Sequence, residues 1–347
     1  MTFVRNAWYV ASWSRDVQDR PVAETVLGEN LVLWRGADGT VRAAEDLCPH
    51  RFLPLSKGRV RGDNVQCGYH GLTFSGDGAC VDAPTQATPP QGCRIRTYPV
   101  HENMGLVWVW TGDPALADVA DVYDLPEYHR PGWGVAHGDG LDVEANYLLL
   151  CDNLCDPTHV NYVHPSTLGN PDEINAPVTH TDVPWGVVTE RLTPDSAPTG
   201  FIRAFGNHAG RVDMWQRYLM YAPSVSIIDF GGAAAGTGAF DGGGEGRVQV
   251  FSCHFMTPVT ETRTIDRWLH VRNFAPDEPA VGERISEQFR IAFAEDKEIL
   301  QAVQAEEGRH EGRAKTGLDL DASAGLFRLK VNRLIRAEAQ ANAQAAE

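Results

Sequence analysis

The most constraining feature of this 347-residue sequence is a pair of cysteine/histidine motifs. Cys48-Pro-His50 is followed, after about sixteen residues, by Cys67-Gly-Tyr-His70. Each motif supplies one thiolate and one imidazole, so each can hold one edge of a two-iron cluster. Thiolates suit the inner iron of a [2Fe–2S] pair, and imidazoles on the other iron raise its potential to roughly −150 to +300 mV. The four residues are therefore predicted to bind an iron–sulfur cluster.

A zinc site of the Cys2His2 class is the alternative, because it uses the same residue types. Such zinc sites usually pair like ligands, as C-x2–4-C followed by H-x3–5-H, whereas cysteine and histidine alternate here. The alternating pattern resembles the Rieske ferredoxin motif. Arg51 and Gly71, each directly after a histidine, fit the version of that motif found in ring-hydroxylating oxygenases.

Charge and composition argue against several classes of partner. The formal net charge is −16, and no cluster of Lys and Arg is present that would follow a phosphate backbone, so nucleic acid is not an expected partner. No apolar run reaches the length of a membrane span, and the N-terminus lacks a signal-peptide pattern. Seven cysteines at irregular spacing do not resemble a disulfide framework. We expect a cytoplasmic protein without a membrane partner.

The pattern along the chain predicts an α+β protein of two domains. Residues 1–116 predict a small all-β domain that carries the cysteine/histidine loops, because short apolar runs alternate with Gly, Asp and Pro turn signals. Residues 117–347 mix longer strands with a helix over about 280–306, and they predict a second, catalytic domain. The Gly-rich segment 231–246 lacks the Gly-Lys-Ser/Thr end of a phosphate loop and is interpreted as a mobile surface or lid loop.

A second cluster of candidate ligands follows in this domain. His159 and His164 are five residues apart, so an ideal helix would place them about 140° apart and must end or distort between them. Asp296 falls within the apolar face of the late helix, where an unpaired carboxylate would cost several kcal/mol. A salt bridge to a buried Arg or His is one explanation. The other is a facial triad of two histidines and one carboxylate, as in non-heme Fe(II) oxygenases.

The segment from Asn153 through Asp156 and His159 to His164 resembles the N-x-x-D-x-x-H-x4-H motif of Rieske non-heme iron oxygenases, and Phe293-Ala-Glu-Asp296 resembles their late Glu-Asp pair. The resemblance covers nearly the whole chain and is nearest to the group of vanillate and dicamba O-demethylases and toluenesulfonate monooxygenase. It implies a Rieske [2Fe–2S] domain followed by a helix-grip catalytic domain, mononuclear Fe(II) on the triad, O2 as co-substrate and electrons from NAD(P)H through a separate ferredoxin or flavin reductase.

The same resemblance implies a homotrimer, in which Asp156 connects His70 of a neighbouring subunit to His159. The alternative for Asp156 is structural, because Asp followed by Pro157 is a good start for a helix. Asn153 either lines the iron pocket or makes a local hydrogen bond to the backbone.

The resemblance implies a terminal oxygenase that hydroxylates the methoxy group, with O-demethylation, or the methyl group of a small aromatic acid. His254, Asp229 and Glu287 are candidate residues of the substrate pocket, although His254 is equally well explained as a core histidine. Two other functions stay open: cis-dihydroxylation of an aromatic ring, and electron transfer by the Rieske domain without oxygenase chemistry.

Overall fold

A computed structural model gives the fold of residues 3–84, 86–165, 168–206, 208 and 210–345. The chain divides into two compact units. The first unit comprises Met1–Asp124, Thr257–Thr260 and Glu338–Glu347, and the second comprises Leu125–Met256 and Glu261–Ala337. The domain limits 1–116 and 117–347 stay predictions.

The first unit is an all-β structure with the cysteine/histidine loops between its strands. Its strands are β1 Trp8–Trp13, β2 Val22–Val26, β3 Glu29–Arg35, β4 Val41–Glu45, β5 Arg59–Arg61, β6 Asn64–Gln66, β7 Thr73–Phe74, β8 Cys80–Asp82, β9 Thr97–Tyr98, β10 Val100–Asn103 and β11 Leu106–Trp110. They form sheets of order β1-β11-β10, β2-β3-β4-β9 and β5-β6-β7-β8. Trp34 and Phe74 lie in a core that also contains Cys48 and Cys67. Both cysteines are therefore anchored by apolar packing.

The second unit is built on a seven-stranded antiparallel sheet with helices. Its strands are β12 Gly134–Val143, β13 Val178–Val183, β14 Gly186–Ser196, β15 Val212–Tyr221, β16 Val225–Ala234, β17 Val248–Thr260 and β18 Arg263–Arg272, in the order β12-β18-β17-β16-β15-β14-β13. The helices are α1 Tyr147–Asn153, α2 Val160–Val163, α3 Gly200–Gly206, α4 Pro279–Arg309 and α5 Ala322–Ala345, the last of which ends in the first unit. The predicted α+β fold is confirmed.

Helix α4 carries an apolar stripe that faces the sheet. Ile285, Phe289 and Phe293 recur at four-residue intervals and pack with Trp268 of β18. Pro279 occupies the first turn, where its missing N–H leaves no helical hydrogen bond unmade. The predicted limits of this helix, about 280–306, are confirmed to within three residues. In the described part of the chain, no helix combines the length and the apolar character needed to cross a membrane.

The Gly-rich segment begins as strand rather than loop. β16 extends through Gly231, where an added Cβ would lie 2.1 Å from the carbonyl oxygen of Val248 and 2.5 Å from the Trp215 ring. Glycine is required here because the neighbouring strand and the indole occupy the space of a side chain. Beyond the strand, Arg247 Nη1 donates to two carbonyl oxygens of the loop, at 2.8 and 2.9 Å. The predicted loop over 231–246 is therefore too long at its N-terminal end.

Candidate metal centres and cavity

The two cysteine/histidine loops share one backbone design. The N–H groups of Cys48 and Cys67 donate to the carbonyl oxygens five residues later, at 2.9 and 2.8 Å. The N–H groups of Phe52 and Gly71 donate back to the two cysteine carbonyls, at 2.8 and 3.2 Å. Both of these residues have a positive φ, 58° and 78°. The sequence therefore folds into two equivalent turns that present each cysteine in the same way.

These turns place sulfur inside and imidazole outside. Cys48 and Cys67 are 1% and 3% exposed, whereas the rings of His50 and His70 lie nearer to solvent with their centroids 4.6 Å apart. Burial, with the Cys67 thiol close by, raises the pKa of Cys48 to about 11. Nδ1 of His70 is buried without a hydrogen-bond partner among the described residues. Two buried sulfurs and an unpaired ring nitrogen fit the ligand set of a Rieske [2Fe–2S] cluster.

The second candidate centre is formed at the two ends of α2. This helix has only four residues, with His159 before it and His164 after it. The predicted break between the two histidines is therefore wrong, because the backbone leaves helical geometry only at His164 itself (φ −116°, ψ 44°). Nε2 of His164 lies 3.1 Å from Oδ1 of Asp296, and Nε2 of His159 lies 3.6 Å from the same oxygen. The three candidate ligand atoms all lie within 4.8 Å of one another.

Hydrogen bonds fix the rings of both histidines. Nδ1 of His159 is 2.5 Å from the carbonyl oxygen of Asp156. A carbonyl oxygen can only accept a hydrogen bond, so Nδ1 carries the proton and donates it. Nδ1 of His164 is 2.8 Å from Oε2 of Glu295. Partners of this kind select the tautomer in which Nε2 carries the free lone pair. Both Nε2 atoms are therefore available as ligands on the side of Asp296.

The electrostatics keep an ionised carboxylate between two imidazoles. Burial raises the pKa of Asp296, but His164, His159 and the amide of Asn153 outweigh it and hold the pKa below its usual value. Asn153 Nδ2 donates to Asp296 Oδ1 at 2.9 Å. Burial lowers the pKa of His159. For His164 burial acts in the same direction, but Asp296 and Glu295 together raise its pKa. Two nitrogens and one carboxylate oxygen fit Fe(II) in a facial triad.

A cavity opens beside this triad and contains about 940 Å3 of space free of protein atoms, including its opening to solvent. Its wall is mostly aromatic and aliphatic. The lining residues are Leu154, His159, Val160, His164, Leu168, Gly169, Glu173, Thr199, Gly200, Phe201, Ile202, Met214, Trp215, Gln216, Tyr218, Ile228, Phe230, Gly231, Ser252, Phe289, Phe293 and Asp296. A mostly apolar pocket with a few polar groups is typical of a small-molecule site.

Glu173 is the lining residue that sequence reasoning missed. It is 2% exposed, and burial raises the pKa of its carboxyl group to about 7. Oε2 accepts a hydrogen bond from Gln216 Nε2 at 3.3 Å and lies 3.8 Å from Arg191 Nη1. Glu173 ends a short turn, Pro171–Glu173, in a segment whose polar sequence has no periodicity. No signal in the sequence distinguishes it from a surface acid.

The predicted substrate residue His254 is buried and lies outside the lining of this cavity. Its Nδ1 is 2.7 Å from Asp266 Oδ2, and its Nε2 is 2.9 Å from Ser252 Oγ. Ser252, two residues earlier on β17, is the one that reaches the cavity. The structure therefore places His254 one hydrogen bond behind the cavity wall, as a satisfied core histidine.

The structure does not bring Asp229 or Glu287 to the cavity. Asp229 is not among the described lining residues, although its neighbours Ile228 and Phe230 on β16 are, and its Oδ1 accepts a hydrogen bond from Trp215 Nε1 at 2.9 Å. Glu287 is exposed on α4. It lies two positions before Phe289, an offset of about 200° around the helix.

Asp156 has a local structural role of its own. Its Oδ1 accepts hydrogen bonds from the N–H and the hydroxyl of Thr158, at 2.7 and 2.6 Å. It does not cap α2, which begins at Val160 with His159 at the N-cap position. The alternative of a helix start at Asp156 and Pro157 is therefore wrong. Asp156 touches His159 through its backbone carbonyl, and a bridge through its carboxylate stays a prediction.

Comparison with known proteins accounts for both units. Residues 7–99 match the Rieske [2Fe–2S] domain, and residues 143–337 match the vanillate O-demethylase oxygenase C-terminal domain. The chain is 36% identical to the vanillate O-demethylase oxygenase subunit of Pseudomonas sp. (98% of this chain, 97% of that protein). It is also 36% identical to the toluene-4-sulfonate monooxygenase system iron-sulfur subunit of Comamonas testosteroni (97% and 98%).

Among solved structures, dicamba monooxygenase bound to dicamba superposes with a TM-score of 0.90 at 31% identity, covering 98% of this chain and 100% of the other. The likeness extends over both units of the chain. These matches, together with the paired cysteine/histidine turns and the His159–His164–Asp296 cluster, lead to one conclusion. The chain belongs to the Rieske non-heme iron oxygenases, as an oxygenase component with a catalytic domain of the vanillate O-demethylase type.

Proposed function

We propose that this protein is the terminal oxygenase of a monooxygenase system that hydroxylates the methoxy or methyl group of a small aromatic compound. The observation that carries the proposal is the position of His159, His164 and Asp296 in the wall of a largely apolar cavity. An aromatic ring in this cavity would lie among phenylalanine side chains with its substituent near the three candidate ligands. The resemblance also predicted that the compound is an acid, whereas no Lys or Arg is among the described residues that line the cavity.

The chain's own residues perform binding and orientation. Phe289 and Phe293 of α4 and Phe230 of β16 exclude water from the ring of a bound substrate. When bound, Fe(II) at the triad would supply O2 activation and the Rieske cluster would supply single electrons. Hydroxylation of an aryl methoxy carbon gives a hemiacetal that releases formaldehyde and a phenol. Hydroxylation of an aryl methyl carbon gives a benzylic alcohol.

The proposal includes a separate electron donor and an assembly. The relatives are named as oxygenase or iron–sulfur subunits, which supports a ferredoxin or flavin reductase that draws on NAD(P)H. We propose a homotrimer in which electrons pass from the cluster of one subunit, at His70, through Asp156 to His159 of the next. We also propose a cytoplasmic location, because a reducing compartment suits an iron–sulfur cluster.

The test is a screen of methoxylated and methylated aromatic compounds with a generic ferredoxin reductase, scored for formaldehyde and hydroxylated product. We expect turnover in the wild type. In His159→Ala we expect none, with an unchanged Rieske EPR spectrum. Turnover that survives His159→Ala would exclude oxygenase chemistry at this triad. A cis-diol product would instead establish ring dihydroxylation.

A further inference from the structure

Among its described lining residues, the cavity has one acidic side chain that is not a candidate metal ligand. Apart from His159, His164 and Asp296, the only ionisable acid or base among the described lining residues is Glu173, with Tyr218 as the one phenol. No Lys or Arg lines this cavity within the described part of the chain. A carboxylate or sulfonate on the substrate would therefore meet no cationic partner, whereas a hydrogen-bond donor would meet a carboxyl group.

Two side chains of the sheet hold the Glu173 carboxyl group in place. Arg191 of β14 and Gln216 of β15 are paired across the two strands, and both approach Oε2 of Glu173. Arg191 is itself buried. Both contacts are made to Oε2, at 3.8 and 3.3 Å, and neither forms a tight bidentate pair, so the carboxyl group keeps free lone pairs. A carboxyl group oriented in this way retains acceptor capacity toward the cavity.

Ser252 presents a second acceptor to the same cavity. Asp266 is 2.7 Å from Nδ1 of His254, an arrangement that assigns the proton to Nδ1 and leaves Nε2 as an acceptor. The Ser252 hydroxyl, 2.9 Å from Nε2, then donates to His254. Ser252 lines the cavity, and a hydroxyl that donates to His254 keeps lone pairs that can accept, so both polar groups favour a donor on the ligand.

We propose that Glu173 is the specificity-determining residue of this cavity, and that it accepts a hydrogen bond from a phenolic hydroxyl or an amide N–H of a neutral aromatic substrate. The proposal rests on the proposed function, because it assigns the substrate class of the same cavity. Arg191 and Gln216 are positioning residues for the carboxyl group. A neutral ring with a donor next to its methoxy or methyl group is the class of compound that fits.

The test measures binding without turnover. The iron-loaded protein is titrated by calorimetry under argon with three probes: ortho-methoxyphenol, ortho-dimethoxybenzene and ortho-methoxybenzoate. At about pH 8, where most Glu173 carboxyl groups with a pKa of about 7 are ionised, the wild type is expected to bind the phenol about 10- to 100-fold more tightly than the other two, the effect of one hydrogen bond to a charged group. The isosteric variant Glu173→Gln keeps a weaker, neutral acceptor, so the preference should shrink by about fivefold or more.

Glu287→Gln is the matched control, because Glu287 is an exposed acid of the same unit that does not line the cavity. It should keep the full preference for the phenol. Any of four results would overturn the proposal. The wild type could bind the phenol and the dimethoxy compound equally, bind the benzoate most tightly, or bind none of the three. The fourth result is an unchanged preference for the phenol in Glu173→Gln. The proposed function fails separately, if the phenol is bound with this preference but no formaldehyde or hydroxylated product forms.

Discussion

Glu295 is the residue that orients His164, although it is not itself one of the three candidate ligands. Its Oε2 lies 2.8 Å from His164 Nδ1 and so fixes which ring nitrogen is left for a metal. We expect Glu295→Ala to weaken Fe(II) binding at the triad by about 10- to 100-fold. The measurement is Fe(II) titration of protein depleted of mononuclear iron, with the Rieske spectrum as an internal standard. Glu298→Ala, at an exposed position of α4, should bind Fe(II) as the wild type does.

Glu173 makes the stability of the protein depend on pH in a defined direction. Its pKa is about 7 in the folded protein against an ordinary value of 4.5, so the folded state binds the proton more tightly. The contribution of this carboxyl group to the free energy of unfolding is complete below the pKa that it has in the unfolded chain. It is lost as the pH rises through about 7, the pKa in the folded protein. It amounts to about 3 kcal/mol at most.

The variant Glu173→Gln has no titrating group at position 173, so it serves as the reference for this effect. We expect the free energy of unfolding of the wild type to fall relative to that of the variant between about pH 5 and about pH 8. Thermal unfolding of the two proteins in parallel measures this difference, because the contributions of all other titrating groups are the same in both proteins and cancel. A difference that is constant over this range would contradict a raised pKa at Glu173.

At the scale of elements, the packing of β16 against β15 and β17 requires a glycine at position 231. An added methyl group would clash with the carbonyl of Val248 and with the Trp215 ring, neither of which can rotate away. We expect Gly231→Ala to lower the free energy of unfolding by about 1–3 kcal/mol, measured by urea denaturation. Gly308→Ala in α4 meets no atom within 4 Å. It should be neutral or stabilising by up to about 1 kcal/mol.

The elements also show what the sequence predicts and what it cannot. The five-residue spacing of His159 and His164 predicted that a helix ends or distorts between them, whereas the structure has an uninterrupted four-residue helix that ends at His164. The apolar stripe of α4 predicted an inward Asp296. Along β16, alternation separates Asp229 from its neighbours, but both faces of a central strand are buried, so the sequence does not tell which face borders the cavity. Glu173 lies in an irregular turn, where no periodicity exists to read.

At the scale of the whole molecule, the proposed electron route depends on contact between subunits, and a carboxylate at Asp156 is its centre. Asp156→Asn keeps the size of the side chain and an oxygen for the N–H of Thr158. It removes the negative charge that would accept a hydrogen bond from His70 of the partner subunit, while the backbone carbonyl of Asp156 still accepts from His159. We expect both metal centres to stay loaded and reductase-coupled turnover to fall by about 10- to 100-fold. An unchanged rate with full metal content would rule out a role of this carboxylate in the route.

Complementation of two inactive variants distinguishes electron transfer between subunits from electron transfer within one chain. His159→Ala removes a ligand of the triad, and His70→Ala removes a ligand of the Rieske cluster, so each homotrimer should be inactive. Co-expression under two affinity tags, followed by purification through both, yields assemblies that contain both variants. If electrons cross between subunits, the intact cluster of one chain serves the intact triad of its neighbour, and turnover returns. If they pass within a chain, no subunit has both centres and the mixed assembly stays inactive, because each chain lacks one end of the route.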